Sequence, residues 1–226
     1  MTTEIKYHNS TEEFKAILAL GVFAEPKSEK FGYRANLQGI WYDCNRWNAT
    51  DGHRLGTFTR PRPDVRDCEF VDEISALETC FIPVDTAAAM LKTKFVSYRL
   101  WFSHESKHLQ VTLTDKKDIE HTFELPLLAQ CDFTTVNVAP LPTDNEEYAP
   151  TKEGTAFNGS YVGDLITYGK KLGRKDLIYA KFHGHLKFKS GPDKGTGDRM
   201  CAALWDFGSA LKGFRCLIMP ARVVNQ

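Results

Sequence analysis

Nothing in this sequence is apolar for long enough to cross a bilayer, and residues 1–6 lack the hydrophobic core of a signal peptide. Net charge is missing as well. The 29 Lys and Arg balance 29 Asp and Glu, so no global field draws the chain onto nucleic acid; such a contact has to come from a locally basic face. The six cysteines, at 44, 68, 80, 131, 201 and 216, stand far apart with no C-x-x-C pair. That spacing argues against a disulfide or zinc framework and for reduced packing residues in a cytoplasmic protein.

Catalytic signatures are scarce too. Gly159-Ser-Tyr-Val-Gly163 looks like a nucleophile elbow, but its serine is misplaced and the segment opens a helix. The glycine-rich stretch 191–197 lacks the Lys-Ser/Thr end of a phosphate loop and reads as a hairpin tip. His183 and His185 share one strand face without partner ligands at metal-site spacing. Asp51 and His53 lack a nucleophile or a fixed third group. The chain therefore reads as a non-enzyme, with no cofactor and no metal.

What is present is an ordinary globular balance: 226 residues, 42% hydrophobic and 26% charged, enough for one large domain or two small ones. Ser10 and Glu13 form a capping box ahead of a helix carrying Phe14, Ile17 and Leu18, preceded by a short strand over 4–7. Extended runs follow at 33–42 and, past a turn, at 50–60; Pro61 and Pro63 end the second. The plan then repeats. A strand at 79–82 leads a helix with Val84, Ala88, Leu91 and Phe95 on one stripe, and three extended runs follow at 96–103, 108–114 and 119–125. Leu109, Val111 and Leu113 alternate with polar neighbours, as a half-buried strand requires. It begins a third time with a short strand at 155–157 and a helix from Asn158, with Val162, Leu165, Ile166 and Leu172 inward. Further runs lie at 177–182, 186–189, 200–206 and 214–219.

These starts recur at roughly 75 residues, the mark of a repeated supersecondary unit. The unit is one strand, one helix and about three strands, so the fold class is α+β, three βαβββ-type units with helices packed on antiparallel sheets. Pro140, Pro142, Pro150 and an acidic patch mark 131–153 as an interdomain linker between a two-unit domain at 1–130 and a half domain at 154–226.

Basic residues gather on the helices: Lys170, Lys171, Arg174 and Lys175 on or just past the third, Lys92 and Lys94 on the second, Lys15 on the first. The macrodipole alone favours cations at helix C-termini, and a phosphate backbone met without reading sequence would favour the same pattern. In Ala49-Thr-Asp-Gly-His-Arg-Leu55, the Asp-Gly pair suits a tight turn, which explains the glycine but not the His-Arg-Leu that follows.

Together these segments resemble the bacterial DNA polymerase III beta sliding clamp, its second domain and the latter half of its third. The run 49–55 is similar to that family's Ala-Thr-Asp-Gly-His-Arg-Leu turn, and 34–40 resembles its strand ending in Leu-Asn-Gly. Residues 157–162 resemble its Phe-Asn-x-Ser-Tyr helix start, and 217–223 its Met-Pro-x-Arg tail. The resemblance implies a sliding-clamp (processivity) fold and a groove for short peptides of DNA polymerase, the clamp loader or other proteins carrying clamp-binding motifs. Leu37, Thr50, Leu55, Leu217, Met219 and Pro220 would form its apolar walls, with Ala221 widening the floor. Gly52 would let the peptide approach; Arg34, His53, Arg54, Asn158, Tyr161 and Arg222 would form the polar rim. It further implies sequence-independent contact of the helix lysines with double-stranded DNA, in a processivity factor or tether of phage or plasmid type. The rival is a clamp-like decoy that competes for the same peptides without encircling DNA. The family's chain carries six units and closes as a dimer; three units would need a homo-oligomer of four chains to match that ring.

Overall fold

The computed structural model describes residues 2–5, 10–25, 37–43, 46–59, 80–103, 108–125, 146–149, 157–174, 178–181, 185–188, 199–200 and 203–219. Strand β1 (Thr2–Ile5) precedes helix α1 (Thr11–Ala19), where Ser10 accepts from the Glu13 N–H at 3.2 Å and Glu13 reaches back to the Ser10 N–H at 2.8 Å. Two of the orphan donors of the first turn are thereby satisfied. Phe14 and the whole run Ala16–Ala19 are buried, and a 3-10 turn (Leu20–Phe23) adds Leu20 and Phe23 to the same core.

Strands β2 (Gly39–Asp43), β3 (Arg46–Thr50) and β4 (Arg54–Thr59) form an antiparallel meander. The sequence expectation had one run ending near residue 42 and the next opening at 50; an additional strand, β3, lies between them. Its burial on both faces hides the alternation by which a strand is recognised. Strand β5 (Phe81–Pro83) leads into helix α2 (Val84–Lys92), followed by β6 (Ser97–Ser103), β7 (His108–Thr114) and β8 (Glu120–Leu125). In α2 the fully buried residues are Ala87 and Met90, whereas Ala88 and Leu91 of the expected stripe are half-buried. The helix sits rotated from its most apolar stripe because it packs beside α1 as well as on a sheet.

The lead strands cross over. β1 pairs with β6, giving the antiparallel sheet β1-β6-β7-β8, while β5 pairs with β2 in the other sheet. Each of the first two units thus completes the sheet of its neighbour, and neither buries its apolar faces alone.

The third unit also has its helix; of its expected lead strand at 155–157, residues 155 and 156 lie outside the described residues and Phe157 is in no strand. Asn158 caps helix α3 (Gly159–Lys171), and the three helices begin at Thr11, Val84 and Gly159. Ile166, expected inward, is 47% exposed, and the buried residues of α3 are Leu165, Tyr168 and Gly169. Inside the expected linker, β9 (Glu146–Ala149) pairs with β11 (His185–Phe188), which also pairs with β12 (Arg199–Met200). Strands β10 (Tyr179–Lys181), β13 (Ala203–Asp206) and β14 (Phe214–Ile218) join the first unit in a single sheet of order β10-β13-β14-β4-β3-β2-β5.

The core is continuous across that join. Tyr168 stacks on Phe214 at 4.3 Å, Phe23 lies 5.5 Å from Tyr168, and the Tyr168 hydroxyl donates to the Ala16 carbonyl at 3.1 Å. Burial pushes the Tyr168 phenol well above its ordinary pKa, so it remains a neutral donor. Tyr168→Phe is expected to lower the unfolding free energy by about 1–2 kcal/mol, because it leaves a buried carbonyl without its donor. Urea denaturation measures this; an unchanged midpoint would show that the carbonyl finds water.

Candidate peptide groove and basic helix face

The turn between β3 and β4 is built from its own side chains. Asp51 accepts from the backbone N–H groups of His53 (2.9 Å) and Arg54 (3.1 Å), and Gly52, at φ +90°, donates to the Thr50 hydroxyl at 3.0 Å. A Cβ would be strained at that φ, so the glycine is a requirement of the turn. The Thr50 hydroxyl also donates to the Arg54 carbonyl.

This turn lies directly beside the last strand. β14 pairs with β4 with Leu217 opposite Leu55, and the Met219 N–H extends the ladder to the His53 carbonyl at 2.9 Å. One rung crosses four strands: Leu204 on β13, Leu217 on β14, Leu55 on β4 and Thr50 on β3. Alternation sends Phe58, Phe214, Cys216 and Ile218 to the helix side, where they join the main core. Leu55, Leu204 and Leu217 form a separate cluster, at 7%, 9% and 6% exposure, so they are recessed. Met219, 39% exposed, stands past the end of β14. No motif marks Leu204 in the sequence, although position 204 alternates correctly within its short strand.

The N-terminus of α3 packs against the same turn. The His53 and Tyr161 rings stack at 6.0 Å and 14°, and both Tyr161 and Asn158 sit at the helix start. The Asn158 side-chain oxygen accepts from the Ser160 N–H at 3.0 Å, so it serves as the helix cap. Arg54, expected at the polar rim, is buried. Its Nε lies 3.2 Å from Asp51, its guanidinium stands 4.9 Å over the Tyr161 ring, and it forms an ion pair with Asp164 of α3. The sequence signal for Asp164 is its position three residues after Tyr161, on the same helix face. Desolvation, and after it the Asp51 charge, raises the Tyr161 pKa against the lowering effect of Arg54. Leu37 is buried but lies outside the leucine cluster, its carbonyl accepting from the Glu25 N–H at 2.9 Å. Arg34, Pro220, Ala221, Arg222 and Lys175 lie outside the described residues, as does His183.

On the helix side, Lys15 of α1, Lys92 of α2, Lys94 just beyond it and Lys171 of α3 line one cleft of about 560 Å³. Lys116, from the β7–β8 turn, joins them. Lys170 is exposed and Arg174 half-buried, and neither belongs to the cleft lining. Arg174 instead takes part in the helix end through its N–H, which donates to the Gly169 carbonyl at 3.0 Å. Among the described residues, no group of three His, Cys, Asp or Glu is placed to hold a metal ion. The described cysteines, Cys80 and Cys216, are buried free thiols whose pKa burial pushes far up, leaving them unreactive. No described helix is long and apolar enough to cross a membrane.

No family model and no curated protein matches this chain. Among solved structures it is similar to a beta sliding clamp of Caulobacter crescentus, at 14% identity and TM-score 0.49 over 98% of this chain and 66% of that one. It is similar to the sliding clamp of Bacillus subtilis at 15% identity and TM-score 0.48, again over 98% and 66%. The beta subunit from DNA polymerase of Streptococcus pyogenes matches at 13% identity and TM-score 0.45, over 99% and 66%. The chain spans just under two thirds of the length of these structures.

Proposed function

We propose that the protein is a non-catalytic, clamp-type tether whose groove beside the β4–β14 pair takes short extended peptides of replication proteins. The pairing of Leu55 with Leu217 carries this reading, since it turns two segments far apart in sequence into one apolar rung flanked by His53 and Met219. A recessed apolar floor with a few polar groups at its rim is the ordinary design of a peptide pocket. A peptide led by glutamine and ending in Leu and Phe would place its apolar side chains along the rung, while His53 and Tyr161 set its direction.

Burying a Leu and a Phe contributes roughly 1.5–3 kcal/mol each, so micromolar affinity is expected. Leu217→Ser and Met219→Ala should each weaken such a peptide by about tenfold or more in fluorescence anisotropy. Unchanged affinity in both variants sinks the groove.

For the tether, the exposed lysines at the ends of the second and third helices, Lys92, Lys94 and Lys170, would meet a phosphate backbone without reading sequence. The rival reading is a decoy that binds the same peptides without enclosing DNA. Within the described residues β8 and β10 each end a sheet, so a ring would need joins between sheet edges of separate copies. Mass in solution separates the two, a defined oligomer favouring the ring and a monomer the decoy.

A further inference from the structure

We propose that the cleft between α1, α2 and α3 is a binding site for a nucleoside polyphosphate, one molecule per chain. The inference goes beyond the tether and stands whether or not the peptide groove is real. The cleft joins two features that a duplex backbone would not use together. Its lining carries Lys15, Lys92, Lys94, Lys116 and Lys171 with the carboxylate of Glu12, and an apolar part in which Leu91 and Leu172 are half-buried and Val96 is exposed, above the buried Phe95. The volume, about 560 Å³, falls in the range of small-ligand pockets. A convex duplex would touch only the lysine tips, whereas a flat ring can rest on the apolar part and its phosphates reach the lysines.

The charges are in place and unspent. Among the described residues, Glu12 is the one carboxylate paired with any of these lysines, bonding Lys15 at 3.0 Å with its own side chain 74% exposed. Such a surface pair yields readily to a stronger anion. Lys171 is partly desolvated, which lowers its pKa. Lys94 holds a left-handed conformation (φ +52°) just past the end of α2, and Lys15 lies 5.4 Å over the Phe95 ring. Lys116 sits on a turn that Asp115 fixes, accepting from the N–H groups of Lys117 (2.7 Å) and Ile119 (3.1 Å). The lining is therefore organised before any ligand arrives.

Calorimetry on the full chain with ATP, inorganic tripolyphosphate, adenosine and a short DNA duplex, all without added metal, tests this. ATP is expected to bind saturably at one site, more tightly than tripolyphosphate, with adenosine silent. Lys92→Gln and Lys171→Gln, on two different helices of the cleft lining, should each weaken ATP by about tenfold. Lys212→Gln, exposed and outside the cleft lining, should leave it unchanged. Absence of ATP binding, equal affinity for tripolyphosphate, or indifference to both cleft variants overturns the proposal. Binding of the duplex alone overturns it too, while leaving the tether standing.

Discussion

Arg54→Ala should lower the unfolding free energy by about 3–5 kcal/mol, the cost of leaving buried charge without its partner. The side chain is 8% exposed and engages Asp51, Asp164 and the Tyr161 ring at once. Asp51 has only 11% of its side chain exposed, so it keeps its desolvation cost when the guanidinium is removed. Asp164, with 33% of its side chain exposed, recovers water and contributes less. A double-mutant cycle with Asp164→Ala should therefore return a coupling of only about 1 kcal/mol, because solvent screens that half of the contact. A loss below about 1 kcal/mol for Arg54→Ala itself would mean that the three-way contact does not hold in solution. The same arginine fixes where α3 meets the β3–β4 turn. Its removal should also weaken a groove peptide, by loosening the His53–Tyr161 stack that flanks the leucine rung.

Gly56→Ala is the second large effect. A Cβ at that position would stand 2.1 Å from a ring carbon of Phe23, itself fully buried between Tyr168 and Phe214. Neither the ring nor β4 can move without disturbing the join between the first and third units, so a loss of about 3 kcal/mol is expected. Urea unfolding measures it, and Phe23→Leu in the same chain should recover part of the loss by vacating the ring position. A Gly56→Ala variant as stable as the parent would show that the β4–β14 region is loosely packed. The expected sensitivity explains a glycine in mid-strand that turn chemistry does not: here the chain passes against an aromatic ring.

Much of the local structure could be read directly from residues. The Ser10–Glu13 cap, the Asp51-Gly52 turn and the alternation of Leu109, Val111 and Leu113 depend on neighbours a few positions apart, and all three are present. The recurrence of helices at 11, 84 and 159 was legible for the same reason. Reading failed where burial on both faces erased the period, as in β3, and where packing rotated a helix, as in α2. The spacing of Ile166 points it inward, yet Tyr168 takes the buried place by stacking on Phe214. Three prolines and an acidic patch mark 131–153 as a linker, and composition does not reveal that residues 146–149 pair with β11.

The sequence by itself determined the three helices, most of the strands, and where the lysines sit on each helix. Only the tertiary structure decided that Leu204, Leu217, Leu55 and Thr50 share a rung, that Arg54 meets Asp164, 110 positions away, and that lysines of three helices and a turn line one cleft. The reason is physical. Backbone hydrogen bonds do not distinguish one strand from another, so a pattern can mark an apolar face without naming the strand beside it. The neighbour is chosen by the fit of buried rings such as Phe23, Tyr168 and Phe214.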